Sequence, residues 1–354
     1  MGTQAWTTER GAPGSMAAAW RRVWVLLALA ALGGCTQKEE AEDVGAASFL
    51  EPDSAAPGGE GVDSIAGSHW TEEDWDILQE KVRWAVSEGL DGLPVGEALA
   101  RLGETFVGTT YTPGTLEAPG PEHLVVNLRE LDCVTFIESM LALTWLIRNE
   151  GEAILADRDA AMRRYEEYLT AIRYRDGALN GYPSRLHYFT EWLSNNDDMG
   201  LVQLRTRELG GVADAEPIAF MTEHRDAYRQ LAEDENFRDV ARTEERLNAA
   251  GPRYYIPEEK IREAESDIAH GDIIAATSTL PGLDVAHTGI ALWKDGRLHL
   301  LHAPLVGKNV EISELPLSER ILEITAQDGI MVARAQEWPG SGGPAARDGV
   351  GPRN

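Results

Sequence analysis

A thiol becomes a working nucleophile when a base lies within hydrogen-bond reach and a third polar group orients that base. The 354-residue chain has two cysteines and eight histidines from which such a set could be drawn. Cys133 stands in Leu131-Asp132-Cys133-Val134-Thr135-Phe136-Ile137-Glu138-Ser139-Met140-Leu141-Ala142-Leu143. Asp132 is a good N-cap, because its carboxylate can accept from the backbone N–H of Val134 or Thr135, so a helix is expected to start at or just before Cys133. Behind the cap, Phe136, Ile137, Met140, Leu141, Leu143, Leu146 and Ile147 cover most of the circumference, leaving a narrow strip through Glu138 and Ala142. A helix so apolar is expected to be central and buried. A thiol on its first turn lies at the positive end of the helix dipole, which favours thiolate. The alternative is a buried structural cysteine.

The histidines divide by setting. His69 and His123 fall in or beside loops, His270 precedes a glycine at a turn, and His187 and His224 are expected in helices. His287, His299 and His302 lie on two strands expected to pair. Strand alternation sends His299 and His302 to opposite faces and puts His302 with Leu298 and Leu300, on the core side. His287 stands near the start of its strand with Gly289 two residues on, where a missing side chain leaves room for a ligand or another backbone. A base on that strand, with an orienting group on its neighbour, is what a cysteine nucleophile requires.

The elements that must carry these residues come in two runs. Helices are expected from Thr71, with a sequence close to a capping box through Asp74, over Pro94–Leu102, behind Cys133, over Ala153–Ile172 and Ser184–Leu193, from Phe220 to Leu231, and over Pro257–Ile268. Gly108-Thr109-Thr110-Tyr111-Thr112-Pro113-Gly114 reads as a loop leading toward Cys133. After Ile268 the period changes to that of strands: Asp272–Thr277, Val285–Trp293, Arg297–Ala303, Asn309–Ile312, a segment near Ile321–Ile324, and Gly329–Ala333. Lys294-Asp295-Gly296-Arg297 is an Asp-Gly hairpin turn. Helices followed by antiparallel strands make the fold class α+β.

The N-terminus sets the compartment. Either Met1 or Met16 could be the start; Arg21-Arg22, the apolar run Val23–Leu32 and Leu32-Gly33-Gly34-Cys35 then read as a signal peptide. The run is too short to span a bilayer. Leu-Gly-Gly-Cys resembles a bacterial lipobox, which implies lipidation at Cys35 and attachment to a membrane at its periplasmic face. Thr36 and Gln37 lack the aspartate that favours inner-membrane retention in enterobacterial lipoproteins, pointing to the outer membrane. If Cys35 is lipidated, Cys133 is the sole thiol of an exported protein, a hazard unless it is used. The expected organisation is a signal segment over 1–35, a disordered tether over 36–68, one domain over 69–336, and a disordered tail over 337–354.

The net charge of −27 and the lack of a basic stripe argue against nucleic-acid binding. There is no HExxH, no paired CxxC and no GxxxxGK[ST], so no metal, nucleotide or other cofactor is expected.

Several motifs in order carry a resemblance. They are the loop Gly108 to Glu117, Asp132-Cys133-Val134-Thr135-Phe136 with Glu138, Ser184-Arg185-Leu186-His187-Tyr188, Gly271-Asp272-Ile273-Ile274, His287-Thr288-Gly289-Ile290, and His299-Leu300-Leu301-His302-Ala303. Together they resemble the NlpC superfamily of papain-like cell-wall cysteine hydrolases, in its N-acetylmuramoyl-L-alanine amidase-like branch, over about Leu102 to Ala335. The resemblance implies a papain-like domain with the nucleophile helix packed on an antiparallel sheet. It implies Cys133 as nucleophile, His287 as base and His302 as the group orienting His287. Tyr111 matches a tyrosine lining such sites, with core packing as the alternative, and Thr110 departs from the branch, where proline is expected. Asp132 meets a free peptide amine in relatives that cut between D-Glu and a diamino acid; here its capping role already explains it. Arg173, Arg185 and His187 fall in a helical insertion near the expected cleft, where arginine suits the carboxylates of stem peptides.

The expected function is therefore a monomeric cysteine amidase of peptidoglycan or muropeptides, cutting between N-acetylmuramic acid and L-Ala. The alternatives are a γ-D-Glu-diamino acid endopeptidase of the same fold and a non-catalytic cell-wall-binding lipoprotein.

Overall fold

The computed structural model describes residues 70–305 and 308–340. The signal segment, Cys35, the tether and His69 lie outside them, as does the tail beyond Gly340. The first helix, α1 (Glu72–Ser87), opens on the expected capping box between Thr71 and Asp74. It is followed by α2 (Val95–Glu104) and the short parallel pair β1 (Thr110–Tyr111) and β2 (Glu130–Leu131). The Cys133 helix α3 (Cys133–Glu150) comes next, then α4 (Arg158–Arg173), α5 (Phe189–Asp198), β3 (Val202–Leu204) and β4 (Val212–Asp214). The chain continues through α6 (Phe220–Glu223), α7 (Asp234–Ala249), β5 (Arg253–Pro257) and α8 (Glu258–Ala264). The strand run is β6 (Ile273–Ser278), β7 (Val285–Lys294), β8 (Arg297–His302) and β9 (Glu311–Ile312), and the described chain ends with α9 (Leu317–Glu323) and β10 (Gln327–Ala335).

The large sheet has eight strands in the order β4-β5-β10-β6-β7-β8-β9, with β3 added on β10, and its pairings are antiparallel. The mixed α+β class is as expected. Asp295 and Gly296 both have positive φ, and Lys294 pairs with Arg297, so the turn between β7 and β8 is the tight two-residue kind that Asp-Gly favours.

Both sheet faces are covered. Ile273, Ala275, Ile290, Leu292 and Leu301 join α1–α3 in the main core, while Ile274, Ala276, Ala291, Leu298 and Leu300 pack with α8 and α9. A sheet buried on both sides loses its polar alternation, which is why β6 reads Ile-Ile-Ala-Ala.

Several expected elements are different in the structure. Ile321 lies in helix α9, where Leu317 and Ile321 form one buried stripe, not in a strand. Arg185–Tyr188 is not helical; the helix starts at Phe189. Phe220–Leu231 is a broken series of short turns, and the long helix of that region is α7, whose sparse apolar content hid its period. Ala153–Ile172 is interrupted at Asp157, which accepts from the Ala160 N–H and so restarts the helix. Pro257 ends β5 before α8 begins.

The strip through Glu138 is also core: Glu138 is 2% exposed and accepts a 2.7 Å bond from Arg173 of α4. The tail boundary moves too. Glu337 pairs with Arg148, and the Trp338 ring meets Trp145 and Tyr168, so ordered packing passes the expected limit at 336. Among the described residues no helix is long and apolar enough to cross a membrane.

Candidate active site

The N-terminus of α3 is built as its sequence dictates. Asp132 Oδ1 accepts from the N–H groups of Val134 and Thr135 at 3.1 and 2.8 Å, and Thr135 Oγ1 accepts from the Asp132 N–H. This reciprocal cap fixes the turn on which Cys133 is the first residue. Tyr111 pairs with Leu131 across β1 and β2, two residues before the cysteine, and its N–H donates to the Lys308 carbonyl. A strand on the other side completes the seat: Thr288 Oγ1 of β7 donates a 2.7 Å bond to the Cys133 carbonyl. The residue beside Thr288 is His287.

His287 Nε2 and His302 Nδ1 are 2.8 Å apart. Ile290 pairs with Leu301, so His302 stands opposite Gly289 and His287 is its diagonal neighbour on the same face, within reach of long side chains. Gly289 serves that packing. A Cβ there would meet the Leu300 side chain at 2.7 Å and the Leu301 carbonyl at 2.9 Å, so the space is filled by the adjacent strand rather than left to a ligand. The β6–β7 register shifts just before His287, between the pairs Ala276–His287 and Thr277–Val285. A bulge re-aims the side chain next to it.

All three groups are buried. Burial pushes the Cys133 thiol up to about 12, Asp132 adds to the rise, and the Thr288 hydroxyl and N–H oppose it. The dipole's expected preference for thiolate is therefore outweighed in the resting site. Burial likewise lowers His287 to about 3, aided by Arg320, and holds His302 well below the ordinary histidine range. The resting state is neutral thiol and neutral imidazoles. Among the described residues, the thiol makes no direct hydrogen bond to His287. The His302 contact uses His287 Nε2, so a hydrogen bond to the thiol would have to use Nδ1. Such contacts often tighten only when substrate is bound.

The other expected site residues have clear settings. Asp132 is engaged by its cap. Arg185 is buried; its guanidinium donates to Glu117 and to the Leu116 carbonyl and lies over the Tyr182 ring. His187 is half-buried beside Tyr182, with its ring nitrogen 2.9 Å from that residue's carbonyl oxygen. Arg173 serves Glu138 and the Val125 carbonyl. A substrate carboxylate at Arg173 or Arg185 would have to displace these partners. No group of three or more potential ligands is arranged to hold a metal among the described residues.

A family model described as N-acetylmuramoyl-L-alanine amidase-like matches residues 101–329, which include Tyr111, Cys133, His287 and His302. The chain belongs to that family. Crystal structures of an N-acetylmuramoyl-L-alanine amidase from Bacteroides uniformis are similar to this amidase-like chain: one is 36% identical with a TM-score of 0.62, covering 69% of this chain and 99% of that one. A second crystal structure is 37% identical over 68% of this chain and 99% of that one, with a TM-score of 0.61. A Legionella pneumophila protein, 18% identical over 75% of this chain and 95% of its own, has a TM-score of 0.52 and shares the fold alone. No curated protein sequence matches the chain.

Two residues that meet Cys133 or His302 in this amidase-like chain escape sequence reasoning. Thr288 has a weak signal, a hydroxyl on a strand otherwise apolar toward α3. Glu311 has none, because its place opposite His302 follows from the β8–β9 register.

Proposed function

We propose that the protein is a cysteine amidase of peptidoglycan or its fragments, hydrolysing the amide between the lactyl carbonyl of N-acetylmuramic acid and L-Ala. The observation that carries this is the 2.8 Å His287–His302 pair on the strand whose next residue, Thr288, grips the first residue of the Cys133 helix. Family membership supplies the amide and the wall-derived substrate. The helical half packed on an antiparallel sheet supports the papain-like relationship.

The chemistry follows from these residues. His287 Nδ1 takes the thiol proton as Sγ attacks the lactyl carbonyl carbon. His302 accepts from His287 Nε2–H and fixes its ring. The negative charge forming on the carbonyl oxygen is met by the Cys133 backbone N–H, with the α3 dipole behind it. The imidazolium returns its proton to the departing L-Ala nitrogen, leaving a thioester on Cys133. Water, deprotonated by His287, attacks the thioester and releases a lactyl carboxylate and the free thiol. Neutral partners in a dry site mean that charge separation occurs at the moment of attack, not before.

Cys35 would carry lipid and hold the enzyme at the periplasmic face of a membrane, the outer one by its flanking residues, acting as a monomer. Detergent partitioning of wild type, and its loss in Cys35→Ala, tests this anchor. The bond is tested by mass spectrometry of defined muropeptides after digestion. The expected products are an intact stem peptide with a new L-Ala amine and a sugar with a free lactyl carboxylate. L-Ala-γ-D-Glu as the main product would replace this assignment with the endopeptidase.

A further inference from the structure

His302 is 1% exposed, yet its Nε2 has no hydrogen-bond partner among the described residues. The tautomer follows from the chemistry above. If His287 is the base through Nδ1, its Nε2 carries hydrogen and His302 Nδ1 must accept. His302 then carries its own hydrogen on Nε2. That N–H is a buried donor, and the nearest acid to it is Glu311.

Glu311 is placed by register, not by chance of a side chain. β8 pairs with β9 so that His302 and Glu311 are directly opposed, and Glu311 Oε1 is 4.0 Å from His302 Nε2. Directly opposed residues share a face and approach closely. The distance is beyond a direct hydrogen bond but short enough for charge to act and for a small adjustment or one water to close it. The Glu311 side chain is 42% exposed, so the carboxylate retains solvent, while the imidazole it faces is dry.

The charges around the pair give this carboxylate a purpose. Arg320 of α9 acts on both histidines, and Lys308, before β9, acts on His302; both disfavour imidazolium. His287 must nevertheless hold a proton for part of each cycle. We propose that Glu311 is a positioning residue that extends the Cys133–His287–His302 set to a fourth member: it holds the His302 tautomer and stabilises the imidazolium formed when His287 takes the thiol proton. This rests on the amidase reading for its substrate, but not for its test.

Iodoacetamide alkylation of Cys133, followed by mass spectrometry of its peptide across pH, reads the thiol–imidazole couple without any substrate. Wild type should show a limb set by the imidazole beside the thiol's own limb. In Glu311→Gln the imidazole limb should move to lower pH by about half a unit, the size expected of a half-exposed charge pair. Glu311→Asp should restore part of the shift. Glu314→Gln, which removes an exposed charge a few residues away, should leave the profile unchanged and so exclude a general field effect. On muropeptide, Glu311→Gln should lower kcat about three- to fivefold with KM unchanged. Superimposable alkylation profiles for wild type and Glu311→Gln overturn the proposal while leaving the amidase reading intact. A wild-type profile with only an ordinary thiol limb removes the couple itself, and the role of Glu311 with it.

Discussion

The Thr288 hydroxyl donates to the Cys133 carbonyl, tying β7 to the start of α3 with a 2.7 Å bond between residues far apart in sequence. The bond does two things. It fixes the distance between the helix carrying the thiol and the strand carrying His287, and it satisfies a buried hydroxyl.

Thr288→Val keeps the shape and removes the donor. Stability should fall by about 1 kcal/mol, the net worth of one such bond. Turnover should fall about tenfold, because small displacements of reacting groups are costly in rate. Urea unfolding and steady-state kinetics measure the two effects. Wild-type kinetics in a destabilised Thr288→Val would confine the residue to folding.

Removing members of the set should give graded losses. Cys133→Ala should fold with near wild-type stability and have no measurable turnover. His287→Ala should be almost as severe, since the two act as a unit. His302→Ala should lose less, about ten- to a hundredfold, because the base survives with a poorly held ring. Single-turnover rates rank the three, and a wild-type rate in His302→Ala removes that residue from the site.

Three histidines held below their ordinary range make stability fall in acid. His287 is held at about 3, and His187 and His302 well below the usual range, in each case chiefly by burial. Unfolded, each binds a proton near pH 6.5. Between that value and the depressed one the unfolded chain holds more protons, so stability is complete above about pH 6.5 and is lost as pH falls toward 3. Glu122, Glu138 and Asp284 are raised, first by burial, and act in the opposite sense. The difference between wild type and His287→Gln isolates the histidine. Wild type should lose up to about 1.4 kcal/mol per pH unit more than the variant below pH 6.5. Parallel urea-unfolding curves from pH 7.5 to 5 would show that His287 titrates normally.

Arg173 and Glu138 are each 2% exposed and hydrogen-bonded at 2.7 Å. Arg173→Met alone should destabilise by about 3–5 kcal/mol, because it strands a buried carboxylate. Pairing it with Glu138→Leu should recover most of that loss. A double variant no better than the single one would give the arginine a further role, such as holding the Val125 carbonyl.

What the sequence shows depends on how local the cause is. The Cys133 helix, its cap and the Asp-Gly hairpin are set by neighbours in the chain, and all three are legible. Helix α7 is not, because only a few of its residues meet the core and its apolar period is faint. Ile321–Ile324 reads as a strand from its residue types, but the packing of Leu317 and Ile321 against the sheet makes it helical. At the site, Cys133, His287 and His302 stand out by type and order. Glu138 reads as a polar strip because its partner Arg173 comes from another helix. Arg185 reads as a free cation because its partner Glu117 lies on a distant loop. Glu311 is invisible until β8 and β9 are in register.

The central claim is that Cys133 is acylated by the sugar side of the substrate. The direct measurement is the mass of the Cys133 peptide after acid-quenching wild-type enzyme during turnover of a defined muropeptide. The account predicts an increment equal to the muramyl sugar with its lactyl group, absent in Cys133→Ala. An increment equal to L-Ala-γ-D-Glu, or full activity in Cys133→Ala with no adduct, would contradict it.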